Sequence, residues 1–261
     1  MRPVFRLAAF LFFVIILLHP RPAGAYVPAA ERILEPLTTL NRGITSLAVE
    51  LETTFHEGQG TGTVVREQLL IGVNGDFRLV RYGPGGETIL IQQGRDLVVM
   101  NPSEKDAAET GRIEGVLPAL LLRRSTVELV KELNFLGVRT DITGMDRIEK
   151  TISYTIGEEE SSVPGSRLWV EKERRLPLRF SGVCSRGDRM VRVRAEYRDY
   201  RTAGKNLLFP WRMEYYVDDT LSAVSSVTGI EINVTAPERL FKPDGEAQAV
   251  KPIPAFINIR E

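Results

Sequence analysis

The chain of 261 residues is 43% hydrophobic and 26% charged, and its 34 Lys and Arg balance 34 Asp and Glu. That balance, with no basic run interleaved with aromatics, argues against a nucleic-acid binder. A single cysteine rules out an internal disulfide, and two histidines, one of them in the apolar N-terminal segment, argue against a histidine-based triad or a multi-histidine metal centre within one chain.

Arg2 and Arg6 precede the uncharged run Leu7–Leu18, and Ala23-Gly24-Ala25 follows Pro20 and Pro22. A basic start, a short apolar core and an A-x-A site describe a secretory signal peptide over residues 1–25, cleaved before Tyr26. Its twelve apolar residues fall short of the roughly 20 that a spanning helix needs. The residue after the cleavage site is Tyr26 and not a cysteine, so the expectation is a soluble, exported protein that is not lipidated. Three arginines leave with the signal, and the rest of the chain carries 31 basic against 34 acidic side chains, a net of −3. Its length suits one domain over 26–243, followed by a Pro-rich and polar tail over 244–261.

The first element of that domain reads as a helix within 27–42. Ile33, Leu34, Leu37 and Leu40 fall on one helical face, and Gly43 offers a stop. Pro36 either kinks this helix or marks its first turn. The period then changes to two. Leu47, Val49 and Leu51 alternate with Ala48, Glu50 and Glu52, and Phe55 ends the run. Segments 62–71, 76–82, 87–93 and 96–101 follow, separated by short Gly-containing turns, which is the pattern of an antiparallel meander. Residues 113–136 interrupt it with helical character. The run Gly115–Leu122 is strongly apolar, Ser125-Thr-Val-Glu128 has capping-box form, and Val127, Val130, Leu133 and Leu136 make a stripe ending at Gly137. Strands resume at 137–143, 147–156, 166–172, 176–184, 189–201, 211–218 and 223–235. Within them, "RLWVEKERRLPLRF" reads as a hairpin with a charged turn, and Pro177 fits the start of its second strand, where a lost ladder bond costs least. Arg186-Gly187-Asp188 reads as a tight turn, and Asn233-Val-Thr235 as a chance glycosylation pattern.

A sheet of about a dozen alternating strands has an apolar face that must be covered, and open sheets of that width curl. Few helical residues are available to cover it. A curled sheet with helices lying in its mouth is the economical solution, and its interior either packs shut or holds an apolar ligand.

Several motifs in order carry a resemblance. The helix leads into the strand Leu47–Phe55, then "GQGTGTVVR", then "FRLVRYGPGGETILIQQGRDLVVMNPSEKDAAE", then "LWVEKERRLPLRF", then "YRDYRTAGKNLLFPWRMEYY". Over roughly 29–243 the chain resembles the LolA-like family of periplasmic lipoprotein carriers. The resemblance implies a mainly β fold: an incomplete, half-open antiparallel β-barrel with an N-terminal helix and a helical insertion acting as lid. It also implies that acyl chains of lipoproteins, or lipids, are bound in the interior and moved towards the outer membrane, with an inner-membrane donor and an outer-membrane acceptor as partners. The alternative on the same scaffold is a sensor that binds lipidated or hydrophobic partners and signals the state of the envelope. In the carriers an arginine shortly after the "GQG" turn holds the lid closed. Arg66 stands at the matching place after Gly58-Gln59-Gly60, although Glu67 follows it where the carriers have Pro.

On that picture Leu117, Leu120, Leu121, Val127 and Val130 are the lid residues expected to face the interior. Val49, Leu51, Leu79, Leu90, Val98, Trp169 and Phe180 are the expected lining of the sheet, and a register error by one would turn any of them outward. Catalytic chemistry is not apparent. Cys184 lies in "GVCSRG" without nucleophile-elbow spacing, Glu158-Glu159-Glu160 and Asp218-Asp219 read as charged turns, and no P-loop, zinc spacing or dinucleotide fingerprint occurs. The expectation is a protein that is not an enzyme and needs no cofactor or metal.

Overall fold

The computed structural model describes residues 26–56, 62–72, 74–94, 96–100, 115–123, 125–158, 165–186, 189–204, 207–243 and 248–249. The signal-peptide segment, the Gly58-Gln59-Gly60 turn, the Asn101-Pro102 step and most of the 244–261 tail lie outside these residues.

Helix α1 spans Ala30–Leu40 and keeps Pro36 inside it. Ile33, Leu34 and Leu37 are buried as the periodicity requires, but Leu40 is exposed and Thr38 takes the buried position. Asn41, not Gly43, caps its C-terminus. The insertion is two helices, α2 (Val116–Leu122) and α3 (Thr126–Phe135). The Ser125 hydroxyl accepts the Glu128 N–H at 3.1 Å, as the capping pattern promises. Gly137, at φ 79°, ends this helical stretch by a turn that L side chains rarely adopt.

The strands are β1 (Ser46–Phe55), β2 (Thr63–Gly72), β3 (Phe77–Gly83), β4 (Gly86–Gln93), β5 (Asp96–Met100), β6 (Thr143–Ile148), β7 (Thr151–Gly157), β8 (Arg167–Glu171), β9 (Pro177–Arg186), β10 (Arg189–Ala203), β11 (Leu207–Val217), β12 (Thr220–Ile232) and the two-residue β13 (Gln248–Ala249). Among the described residues they form one antiparallel sheet in the order β13-β5-β4-β3-β2-β1-β12-β11-β10-β9-β8-β7-β6. Two sequential meanders are therefore joined at one seam, β1 against β12. Asn233 fastens that seam. Its backbone sits at φ 58°, its Oδ1 accepts the Thr45 N–H at 2.8 Å, and its Nδ2 donates to the Gly43 carbonyl at 3.3 Å. The residue that matches a glycosylation pattern thus serves as a backbone clamp.

The sheet does not close. β6 and the β13–β5 pair stand at its two ends, which makes it an open barrel. The strand expected over 137–143 is instead β6, starting at Thr143, and the one expected over 147–156 is two strands hinged at Glu149, φ 53°. The charged hairpin is present. Pro177 is the first residue of β9, opposite Val170, and its carbonyl accepts the Tyr200 hydroxyl at 2.6 Å. Leu178 is taken up by the register shift between these strands, so Phe180 faces Leu168.

One face of the sheet, the inner face, shares a contiguous buried apolar cluster with α1, α2 and α3. The other face is polar over β8–β11. There Glu196 contacts Arg179 at 2.8 Å and Arg198 at 2.5 Å, and Glu214 contacts Arg212 at 2.7 Å. Burial works against the Glu214 carboxylate, but hydrogen bonds from Arg212 and Tyr216 outweigh it and hold its pKa below the ordinary value.

Candidate ligand-binding face

The inner face is built by strict alternation. Leu47, Val49, Leu51 and Thr53 of β1 lie beside Ile71, Leu69 and Val65 of β2, and Phe77 and Leu79 of β3 continue the layer to Leu90 of β4. On the far side of the seam, Phe180, Ala195, Tyr215 and Ala223 continue it across β9 to β12. The helices fill the concavity with Ile33, Leu34, Leu37, Leu117, Leu120, Leu121, Leu129 and Leu133, all 2% exposed or less. At roughly 25 cal/mol per Å² of apolar area, such burial is what holds short helices of 7, 10 and 11 residues in place.

Polar contacts also join the helices. The Asn41 amide donates to the Leu121 carbonyl at 3.0 Å, and the Thr38 and Thr126 hydroxyl oxygens are 3.2 Å apart. Within the insertion, Arg123 pairs with Glu132 at 3.0 Å. α1 is thereby tied to both helices of the insertion.

Most of the residues singled out from the sequence converge here. Val49, Leu51, Leu79, Leu90, Leu117, Leu120, Leu121 and Phe180 all belong to the buried cluster, and Val130 packs against it partly buried. Three do not. Val127 is 63% exposed, because α3 buries Leu129 and Leu133 and so is rotated from the expected stripe. Val98 lies opposite Ile91 on the outer face, and it is Leu97 and Val99 that join the cluster. Trp169 is buried but on the outer side, where its indole N–H donates to Asp146 Oδ2 at 3.0 Å and Arg167 and Arg179 flank the ring. That hydrogen bond, with a second from the Arg147 N–H, lowers the Asp146 pKa.

Arg66 also faces outward. It is exposed, lies between Glu52 and Tyr82 in the cross-strand row, and makes no ion pair among the described residues. The neighbouring position, Glu67, is the one aimed inward. Glu67 is 2% exposed and accepts Arg81 Nε and the Thr53 hydroxyl, both at 2.5 Å. The Thr53 and Ser225 hydroxyls are 2.8 Å apart, and the Arg81 guanidinium stacks on Phe55 at 4.6 Å. Register continues this band from Ser225 to Met213 and Tyr197. A polar belt therefore crosses the apolar face. Its signal was present in the sequence: Glu67 and Arg81 occupy the inward parity of strands whose other inward residues are Val65, Leu69, Phe77 and Leu79.

Among the described residues, no group of three or more His, Cys, Asp or Glu side chains is placed to hold a metal ion, and no helix is long and apolar enough to cross a membrane. The sequence matches no protein-family model and no curated protein. The fold does have relatives among solved structures. The chain is similar to a LolA superfamily protein from Nitrosomonas europaea, with a TM-score of 0.54 at 15% identity, over 83% of this chain and 99% of that one. An outer membrane lipoprotein-sorting protein domain from Vibrio parahaemolyticus matches at 0.46 and 12% identity, over 81% and 95%. A DUF1329 family protein from Desulfovibrio piger matches at 0.45 and 12%, over 82% and 95%. The first of these carries the assignment: the molecule has the LolA-like open-barrel fold that its motif order resembles.

Proposed function

We propose that this LolA-like protein is a periplasmic binding protein, not an enzyme, that receives acyl chains of lipoproteins or lipids on the inner face of its open barrel and carries them towards the outer membrane. The observation that supports this is the inner face itself. A wide apolar surface is covered by three short helices rather than by a second sheet, and among the described residues those helices are held to it chiefly by apolar packing. Burying an acyl chain stabilises a complex by about 0.8 kcal/mol per CH₂. A carrier must return part of that to release its cargo, and helices that reseat on the empty face do so. Val49, Leu51, Leu79, Leu90 and Phe180 would then meet the chain from the sheet, and Leu117, Leu120, Leu121 and Val130 from the helices.

Donor and acceptor membranes on either side of the periplasm complete the reading, with residues 1–25 as the cleaved export signal, 26–243 as the binding domain and 244–261 as its tail. Arg66, facing solvent beside Glu52, is less well placed to lock the lid than Arg81, which lies on the covered face. The test is organic extraction of the protein purified from a bacterial envelope, followed by mass spectrometry. Acyl species in stoichiometric amount are expected; an extract without them overturns the reading.

A further inference from the structure

We infer that the polar belt on the inner face is a subsite for the neutral carbonyl end of an acyl ester, with the Tyr197 hydroxyl as a donor to that carbonyl. The inference rests on the acyl-binding reading and assigns the polar part of the ligand, which that reading leaves open.

The belt runs Arg81, Glu67, Thr53, Ser225, Met213, Tyr197 across six adjacent strands, each member at the inward parity. Every one of them is 4% exposed or less, so this is polar surface kept away from water. At one end the groups satisfy one another: Arg81 on Glu67, Glu67 on Thr53, Thr53 on Ser225. At the other end they do not. Among the described residues the Tyr197 hydroxyl is buried with no hydrogen-bond partner, and the Tyr215 hydroxyl donates to the Met213 sulfur at 3.6 Å, a weak acceptor. Folding alone gives no reason for that hydroxyl, because an unpaired buried donor costs about 1–3 kcal/mol and phenylalanine would avoid it. An arriving acceptor recovers the loss.

The chemistry of the acceptor follows from charge. Glu67 and Arg81 cancel in direct contact, so the belt offers hydrogen bonds without a net charge. Burial also raises the Tyr197 pKa far above its ordinary value and keeps the phenol a protonated donor. A neutral ester carbonyl suits this setting; an anionic headgroup would have to leave water uncompensated. Apolar residues lie beside the belt on the same face, Leu51 and Val49 on β1 and Leu79 on β3, and these take the hydrocarbon while the carbonyl meets the belt.

The experiment compares two probes of equal chain length, 1,2-dioleoylglycerol and its 1,2-di-O-oleyl ether, by displacement of bound cis-parinaric acid. The wild type should prefer the diester about fivefold to tenfold, one hydrogen bond's worth. Tyr197→Phe should abolish that preference while leaving ether affinity and thermal stability undiminished. Equal binding of both probes by the wild type, or a preference that survives in Tyr197→Phe, overturns the subsite but leaves acyl binding standing. Binding of neither probe overturns acyl binding, and the subsite with it.

Discussion

Two ionised side chains show how opposite faces of one sheet are specified. Glu67 is buried among apolar neighbours and is compensated by Arg81 and Thr53. Removing one partner of a buried pair leaves the other charge uncompensated, which typically costs about 3–5 kcal/mol. Glu67→Ala should therefore lower the urea midpoint of unfolding substantially, and Glu67→Gln, which retains an acceptor for Thr53, should lower it less. Equal effects would mean that the acceptor kept for Thr53 adds nothing and that the lost charge opposite Arg81 accounts for the whole destabilisation. Asp146 works on the outer face at the open edge of the sheet. It accepts the Trp169 indole and the Arg147 N–H, and its pKa is lowered for those reasons, in that order. A carboxylate with a depressed folded pKa adds stability above its unfolded pKa, and that contribution is lost as pH falls through the folded value. Between pH 5 and pH 3 the wild type should therefore lose more stability than Asp146→Asn, read from denaturant midpoints at each pH. Parallel losses would show that the indole contact does not depend on the charge.

At the scale of elements, alternation made the first five strands legible, and the apolar run before Ser125 made the insertion legible. Where neighbouring positions are both apolar, parity cannot be read. Leu97-Val98-Val99 and Leu168-Trp169-Val170 are such runs, and Val98 and Trp169 turned out to face outward. On α3 the valines and leucines allow two stripes, and packing against α1 selected Leu129 and Leu133 over Val127. Glu149 separates β6 from β7 with a left-handed backbone that nothing in its residue type announces. Pro177 was readable, because a missing N–H is tolerated at the first residue of a strand. The polar belt was readable in principle, as charge at an apolar parity, but its continuity depends on which strands become neighbours.

The whole molecule is set by a pairing remote in sequence. β1 and β12 join two meanders that are each local, and the seam places Thr53 against Ser225, 172 residues apart. No periodicity reports such a pairing, so the seam was not legible in the sequence. Once made, the seam yields one wide face that three helices cover. The central claim, that acyl chains enter beneath those helices, requires α1 and the insertion to separate. Thr38 and Thr126 offer a direct test, since their hydroxyl oxygens stand 3.2 Å apart across that boundary. A Thr38→Cys, Thr126→Cys double variant should bind cis-parinaric acid like the wild type when reduced and lose that uptake when oxidised to the tether, with reductant restoring it. Undiminished uptake by the oxidised protein would contradict entry beneath the helices.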